Sequence, residues 1–287
     1  MILDWLTQPF SYAFMQRGLV VALVVGVLCA VIGCYVVLRS MAFLGDALAH
    51  AILPGVAVAY LLGSNLLVGA LVAAIVVALG IAFISRGGLI KEDTAIGILF
   101  AAALSLGVAL ISSIRTYAVD LSHILFGNLL GVSPSDMLLV IILSVIVLAI
   151  LIFFYRPFMI VSFDPILAQT LRLPGALLRS VLLILLAVTI VISMQTVGIG
   201  LVAAMLVTPG AAAFLLTRRL PAMMALAALF GGLSSLVGLY ASYYLNIASG
   251  AAIVLTATLI FLLAFFFSPR RGLVWNFFRA RSMRNSI

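Results

Sequence analysis

Asp46 and His50 are the two residues of this sequence whose types and spacing best suit ion binding. They lie four residues apart in the run GDALAHAILPG, so in a helix both side chains leave the same face. A carboxylate oxygen with an imidazole nitrogen suits manganese, iron or zinc and is poorly matched to Cu(I). The pair is therefore a predicted metal site, although two ligands make only half of one. The structural alternative is that Asp46 caps a helix beginning at Gly45 while His50 packs with one backbone hydrogen bond.

Two apolar segments carry a Pro-Gly pair in their middle, in the runs LPGVAVAYLL and TPGAAAFLL. Proline removes a helix hydrogen bond, and transporters often build their pathway from interrupted helices in matching halves. We therefore expect helix breaks along a pathway at Pro54, Gly55, Thr208, Pro209 and Gly210. The alternative is chance, because small residues also serve close packing in apolar helices.

A short amphipathic helix is predicted in the longest loop that contains polar residues, 156–179. Asp164 before Pro165 is typical of a helix start, with the aspartate as N-cap and the proline at the first helical position. The helix would cover the run PILAQTLRL and end at Pro174. Because two turns have little stability alone, this helix needs either the membrane face or a groove in a partner to pack on.

Several classes of enzyme are excluded because their residues are missing. Lys91 is the one lysine, and the residues before it do not form the phosphate-binding loop of nucleotide hydrolases. Glu92 is the one glutamate, and no H-E-x-x-H pattern supplies a zinc protease site. No G-x-S-x-G elbow accompanies either histidine. We therefore expect a chain that is not an enzyme and that hydrolyses no ATP by itself.

The composition requires lipid around the elements that position these residues. Hydrophobic residues make up 67% of the 287 residues and charged residues 8%, against about 45–50% and about 25% in soluble domains. The apolar runs are long enough to cross about 30 Å of hydrocarbon. The predicted fold is an all-α integral membrane protein, a bundle of eight to nine transmembrane helices with interrupted helices. The nine candidate segments are 17–38, 45–63, 66–84, 94–114, 137–155, 179–197, 199–217, 221–245 and 250–268.

The basic residues predict the orientation of these segments. With the N-terminus outside, all of the fifteen lysines and arginines except Arg17 and Arg115 fall on the cytoplasmic side, as the positive-inside rule requires. We expect a single transmembrane domain over 1–287 with the N-terminus outside and the C-terminus in the cytoplasm. Residues 1–16 are expected to form an interfacial segment, and 269–287 a basic cytoplasmic tail that lies on anionic lipid or is frayed.

Four runs resemble the signatures of one transporter family. They are GDALAHAILPGVAVAYLLG (45–63), EDTAIGILFAAALSLG (92–107), SFDPILAQTLRLP (162–174) and VGIGLVAAMLVTPGAAAFLLTRRL (197–220). Together they are similar to the membrane permease subunits of ABC importers for manganese, zinc and iron, the ABC-3 family. The likeness extends from about Gly18 to about Pro269. One departure is His123, because the family usually has no histidine at that point, and no role is assigned to it.

The resemblance implies the partners and the roles of the site residues. It implies a second copy of the chain, two cytoplasmic ATP-binding subunits that bind the ATP, and an extracytoplasmic protein that delivers the metal, in the cell membrane of a prokaryote. A divalent metal ion would be the substrate, with no permanently bound cofactor and no nucleic-acid partner. Asp46 and His50 would line the metal path. The helix that docks on the ATPase would present Phe163, Asp164, Pro165 and Leu167.

Two other function classes remain as alternatives at this point. A proton-coupled secondary transporter would use Asp46 and His50 as a proton relay, but it would leave the capped helix in the 156–179 loop unexplained. A metal-dependent membrane enzyme lacks a general base. The ligand types fit manganese, iron and zinc alike, with manganese slightly favoured.

Overall fold

The computed structural model describes residues 11–86, 88–113, 129–163, 165–217 and 219–268. Within these ranges the chain forms α-helices, a 3-10 turn at Leu129–Gly131 and no strand, which confirms the all-α prediction. In chain order the helices are α1 (Ala13–Leu38), α2 (Leu44–Ala51), α3 (Leu53–Leu61), α4 (Leu66–Ile84), α5 (Glu92–Ser112), α6 (Pro134–Phe153), α7 (Tyr155–Phe163), α8 (Pro165–Thr170), α9 (Gly175–Val197), α10 (Ile199–Leu216), α11 (Leu220–Leu245) and α12 (Ser249–Phe267).

Nine segments of the described chain are long and apolar enough to cross a membrane. Each overlaps one of the nine predicted segments, and the second, Leu44–Leu61, is made of α2 and α3 in series. The predicted helical membrane bundle is thus confirmed. The expected interfacial segment 1–16 is described only from Ser11 onward, while His123, Asp164 and the tail 269–287 lie outside the described residues.

Helix α1 occupies the centre of the bundle, and most of its residues are buried. It packs against α10 and α11 at positions where a side chain would not fit. A Cβ atom on Gly33 would overlap the carbonyl oxygen of Leu206, and one on Gly26 would overlap Ser235. The hydroxyl of Ser235 also donates to the carbonyl of Ala22, 2.8 Å away. Close backbone approach at small residues is the usual basis of helix packing in lipid.

The predicted helix breaks have different outcomes in the two Pro-Gly segments. The first segment is interrupted at Ile52, between α2 and α3, two residues before Pro54. The predicted break at Thr208, Pro209 and Gly210 is wrong, because α10 continues through Pro209 from Ile199 to Leu216. This helix packs against α1, α11 and α12, so the neighbours keep it helical although Pro209 gives no N–H to the helix. An open break in lipid would free further backbone groups.

The predicted loop 156–179 contains more helix than expected at its start and less at its end. Residues Tyr155–Phe163 form α7 directly after α6, although this stretch was interpreted as loop. Helix α8 begins at Pro165 as predicted but ends at Thr170 rather than continuing to Pro174. Its end is closed by Arg172 in the left-handed conformation (φ 53°), with the N–H of Leu173 donating to the carbonyl of Ala168. This closure is a tight helix-terminating turn of the Schellman type.

Candidate functional site

Asp46 and His50 lie one turn apart on α2, with their side chains on the same face. Oδ1 of Asp46 is 3.6 Å from Nε2 of His50, and their side chains are 44% and 29% exposed. In a tetrahedral zinc site, for example, two ligands that each lie about 2.0–2.2 Å from the ion are about 3.4 Å apart. The observed separation therefore needs little adjustment for both atoms to bind the same cation.

The capping alternative for Asp46 is wrong. Helix α2 begins at Leu44, with Phe43 as its N-cap residue and no side-chain cap hydrogen bond. Asp46 is the third residue of the helix, where its carboxylate favours the first turn electrostatically without capping it. The ring of His50 packs beside Phe100 of α5, with the ring centroids 6.2 Å apart. This contact orients the imidazole and leaves its Nε2 facing the carboxylate.

The described part of one chain supplies only these two ligands at the site. Across that part, no group of three or more histidine, cysteine, aspartate or glutamate side chains is placed to hold a metal ion. The free cysteines Cys29 and Cys34 are buried in α1, where Cys29 pairs with Ser193 and Cys34 with the carbonyl of Ala30. A complete site therefore requires ligands from outside this set.

The polar pair lies on the outer surface of the single chain, within a membrane span. Its neighbours on the helix, Leu44, Gly45, Ala47 and Leu48, are all buried. Asp46 is the third residue of the span Leu44–Leu61, and a carboxylate in lipid costs about 2.5–3.5 kcal/mol at the centre of a span and less near its end. The face that carries Asp46 and His50 is therefore more stable against water or another protein surface than against lipid tails.

Helix α5 adds a row of small residues next to this face. Gly97, Ala101, Ser105 and Ala109 repeat every four residues and are partly or fully exposed, and a Cβ atom on Gly97 would meet nothing within 4 Å. Phe100, which contacts His50, borders the row. Rows of this kind allow two helices to approach closely in lipid.

The Pro-Gly residues proposed for the pathway mainly pack helices together. Because Pro54 has no N–H, it cannot donate to the carbonyl of His50. The amide of Ile52 donates to that carbonyl instead. Gly55 meets Gly69 of α4 so closely that a Cβ atom on either would overlap the other's backbone. Gly210 faces Gly33 of α1. The two segments are nevertheless joined, because α2 contacts α10.

The short helix α8 presents an apolar face to the outside. Phe163, Ile166, Leu167 and Leu171 are exposed, whereas Ala168 is 4% exposed and points inward. Of the four predicted coupling residues, Leu167 is on this face, Phe163 is the exposed last residue of α7 and Pro165 is the first residue of α8, while Asp164 is not described. An exposed apolar patch of this kind packs either on the membrane face or on a partner.

Sequence reasoning missed a partly buried ion-pair cluster that joins α1, α5 and α9. Nη2 of Arg39 donates to both carboxylate oxygens of Glu92, at 2.8 and 2.9 Å, and Nε of Arg179 is 3.2 Å from Oε1 of Glu92. The Arg39 side chain is only 8% exposed, and its Nη1 has no hydrogen-bond partner among the described residues. Burial lowers the pKa of Arg39, and the charge of Glu92 opposes that shift. One signal was available, since Glu92 is the only glutamate in a chain of net charge +8.

We predict that Glu92→Gln destabilises the membrane bundle. Removing one partner of a fully buried ion pair costs roughly 3–5 kcal/mol; two arginines lose their partner here, but the 16% exposure of Glu92 and the 30% exposure of Arg179 place the expected loss below that range. Thermal unfolding of the purified protein in detergent should show a clear loss of stability. The matched control is Asp93→Asn, which removes an exposed carboxylate from the same helix turn. Equal stability of the two variants would contradict the assigned role of the cluster.

Comparison with known proteins gives a consistent result. Residues 11–268 match the family described as ABC 3 transport family. The chain is 48% identical over 274 residues to the manganese transport system membrane protein MntC of Halalkalibacterium halodurans, covering 96% of this chain and 94% of that protein. It is 41% identical over 271 residues to the manganese import system permease protein ScaB of Streptococcus parasanguinis, covering 94% of this chain and 96% of that protein. Among solved structures, PsaBC from Streptococcus pneumoniae in complex with Fab aligns at a TM-score of 0.82 and 39% identity, covering 94% of this chain and 98% of that one.

Proposed function

The chain belongs to the ABC 3 transport family, and from this premise we propose that it passes manganese through the membrane for an ATP-driven importer. As a permease subunit it is not an enzyme, which agrees with the absence of a nucleotide-binding loop from its sequence. Membership in an ABC family gives no support to a proton-coupled secondary transporter.

The observation that carries the proposal is the pair Asp46 and His50. It places a carboxylate and an imidazole 3.6 Å apart on the exposed face of a membrane-spanning helix, where a charged group is more stable away from lipid tails. A passing divalent cation has the charge that compensates this carboxylate. Binding at such a site needs to be weak, because a tightly bound ion would not leave.

We propose that a second copy of the chain completes the site. Two copies related by a twofold axis would bring two carboxylates and two imidazoles together, which makes four ligands from two half-sites. The small-residue row on α5 lies beside the pair and suits close contact between copies. The metal would then travel between the two subunits.

Manganese is the proposed ion because two relatives in the comparisons are named for manganese. Carboxylate and imidazole ligands are compatible with it, although the same set also binds iron and zinc. The affinity order of divalent metals runs against manganese, so its selection would depend on the extracytoplasmic protein that delivers it.

Energy would come from two separate ATP-binding subunits that contact α8 and bind the ATP. We predict that Ile166→Ala weakens this assembly, because Ile166 is 77% exposed on the apolar face of α8 and a central apolar contact is worth more than about 1 kcal/mol. Affinity for the ATPase should fall about fivefold or more in a pull-down titration. Leu89→Ala is the control, since Leu89 is 96% exposed but lies in the neighbouring loop. A similar loss in both variants would argue against α8 as the docking helix.

The proposed orientation has the N-terminus outside and α8 in the cytoplasm. We predict that an impermeant maleimide labels Ser64→Cys in intact cells and labels Leu89→Cys only after permeabilisation. Both positions are exposed and lie at opposite ends of α4, and the native cysteines are buried. Labelling of Leu89→Cys in intact cells would contradict this orientation.

The function is tested with the permease, its ATPase and its binding protein reconstituted in proteoliposomes. We expect ATP-dependent uptake of radiolabelled manganese that continues when a protonophore collapses the proton gradient. Uptake that stops with the protonophore and does not need ATP would overturn the proposal.

A further inference from the structure

A crevice of about 680 Å³ lies where the last turns of α4, the inner side of α8 and the first turns of α9 meet. Leu79, Phe83 and Leu177 form apolar parts of its wall, and all three are exposed. Leu79 and Phe83 belong to the membrane-spanning helix α4, while Leu177 is in the first turn of the spanning helix α9. The crevice thus begins at the depth of the hydrocarbon.

Cationic and polar groups line the other side of the same crevice. Arg86, Arg179 and Ser180 contribute to it, and none of the described residues lining it is acidic. The nearby carboxylate of Glu92 is already engaged by Arg39 and Arg179, so positive charge remains in excess. Of the first amides of α9, that of Gly175 donates to the carbonyl of Leu173 at 2.8 Å, while those of Ala176 and Leu177 have no helical acceptor and the N-cap residue Pro174 provides no side-chain cap.

We propose that this crevice binds an anionic phospholipid, with the headgroup phosphate at Arg86, Ser180 and the start of α9 and an acyl chain along Leu79 and Phe83. Basic crevices between spanning helices at the cytoplasmic side suit the headgroups of anionic lipids. The proposal rests on the proposed orientation, which turns this end of the bundle toward the cytoplasmic leaflet.

The apolar wall distinguishes a lipid from the other occupants of a basic crevice. A free phosphate ion would use the arginines but would leave the exposed side chains of Leu79 and Phe83 uncovered. The ATPase subunit would cover α8 from the cytoplasm, whereas α4 enters the hydrocarbon at these residues. A phospholipid alone matches both the charged end and the apolar wall.

The test uses a tryptophan reporter at the crevice in the importer assembled with its ATPase. Trp5 and Trp275 are replaced by phenylalanine, and Phe83→Trp places one indole at the crevice wall. Phosphatidylglycerol and phosphatidylcholine, both with brominated acyl chains, are then titrated and quenching is measured. Phosphatidylglycerol should bind at least about fivefold more tightly than phosphatidylcholine. Each arginine near a membrane surface raises the affinity for anionic lipid by about that factor.

Two variants separate specific binding from general attraction of charge. Arg86→Gln should lower the affinity for phosphatidylglycerol about fivefold and leave that for phosphatidylcholine unchanged. Arg156→Gln removes an exposed arginine that does not line the crevice and should have no effect.

Four outcomes would overturn the proposal. These are equal affinity for the two lipids, an equal loss in both arginine variants, displacement of the lipid by inorganic phosphate, and absence of quenching by either lipid because the ATPase fills the crevice. The readout does not involve metal transport, so the proposal can fail while the proposed function holds.

Discussion

Asp46→Asn is expected to abolish most manganese uptake while leaving the importer assembled. The change removes the negative charge at nearly constant size, and Asp46 makes no cap for α2 that the change could disturb. Loss of a direct ligand should lower transport at least tenfold, since even outer partners of metal ligands typically contribute 10–100-fold. His50→Gln removes the imidazole and should behave in the same way. The measurement is uptake of radiolabelled manganese, with the amount of protein in the membrane determined in parallel.

Asp93→Asn is the matched control for this experiment. It removes the same charge from an exposed carboxylate at the start of α5 and should transport normally. Normal transport by both Asp46→Asn and His50→Gln would eliminate the pair as a metal site. Loss of manganese uptake in His50→Gln but not in Asp46→Asn would contradict the shared coordination that the 3.6 Å separation indicates.

Gly33→Ala is expected to prevent formation of the native bundle. An added Cβ atom would overlap the carbonyl oxygen and carbon of Leu206, which are backbone atoms of α10 and cannot rotate away. Helices α1 and α10 would have to separate at the centre of the protein, where Gly210 also packs against Gly33. Overpacking of a core typically costs about 1–3 kcal/mol and occasionally more, and a backbone clash belongs to the upper end.

The control for this prediction lies in the same part of the bundle. Gly232→Ala adds the same methyl group on α11, where the nearest atoms are side-chain carbons of Val27 and Leu23 at 3.8 and 3.9 Å. We expect this variant to purify as a monodisperse protein in detergent, and Gly33→Ala to aggregate or be degraded. Normal size-exclusion behaviour and thermal stability of Gly33→Ala would show that the contact is not as tight as the structure indicates.

The membrane spans could be predicted from the sequence because lipid permits few backbone arrangements. All nine predicted segments correspond to helices, and the boundary between two of them at Gly198 is reproduced. Gly198 has φ 87° and forms the whole connection between α9 and α10. The residue type alone predicts this boundary, because glycine tolerates that conformation.

The helix breaks could not be predicted reliably because the same Pro-Gly pair has different surroundings in the two segments. Near Pro54 the chain is interrupted at Ile52, while at Pro209 the packing of neighbouring helices maintains a continuous α10. The helix at the start of the 156–179 loop was missed for a related reason. Residues Tyr155–Phe163 contain Pro157 and a basic residue, yet Phe158 is buried against Tyr35 of α1.

In the candidate site, too, a contact between residues close in sequence could be predicted, whereas a contact between distant residues could not. Asp46 and His50 could be paired from helical spacing alone. The cluster of Arg39, Glu92 and Arg179 could not, because Arg39 and Glu92 are 53 residues apart and meet only through the packing of α1 against its neighbours. No local periodicity relates such positions.

We propose that manganese binds Asp46 and His50 from two copies of this chain. The decisive measurement is pulsed electron paramagnetic resonance of the purified permease, titrated with manganese in a metal-free buffer. We expect one bound ion per two chains, with nitrogen coupling from imidazole that is lost in His50→Gln. Bound manganese whose nitrogen coupling persists in His50→Gln, or a stoichiometry of one ion per chain, would contradict it.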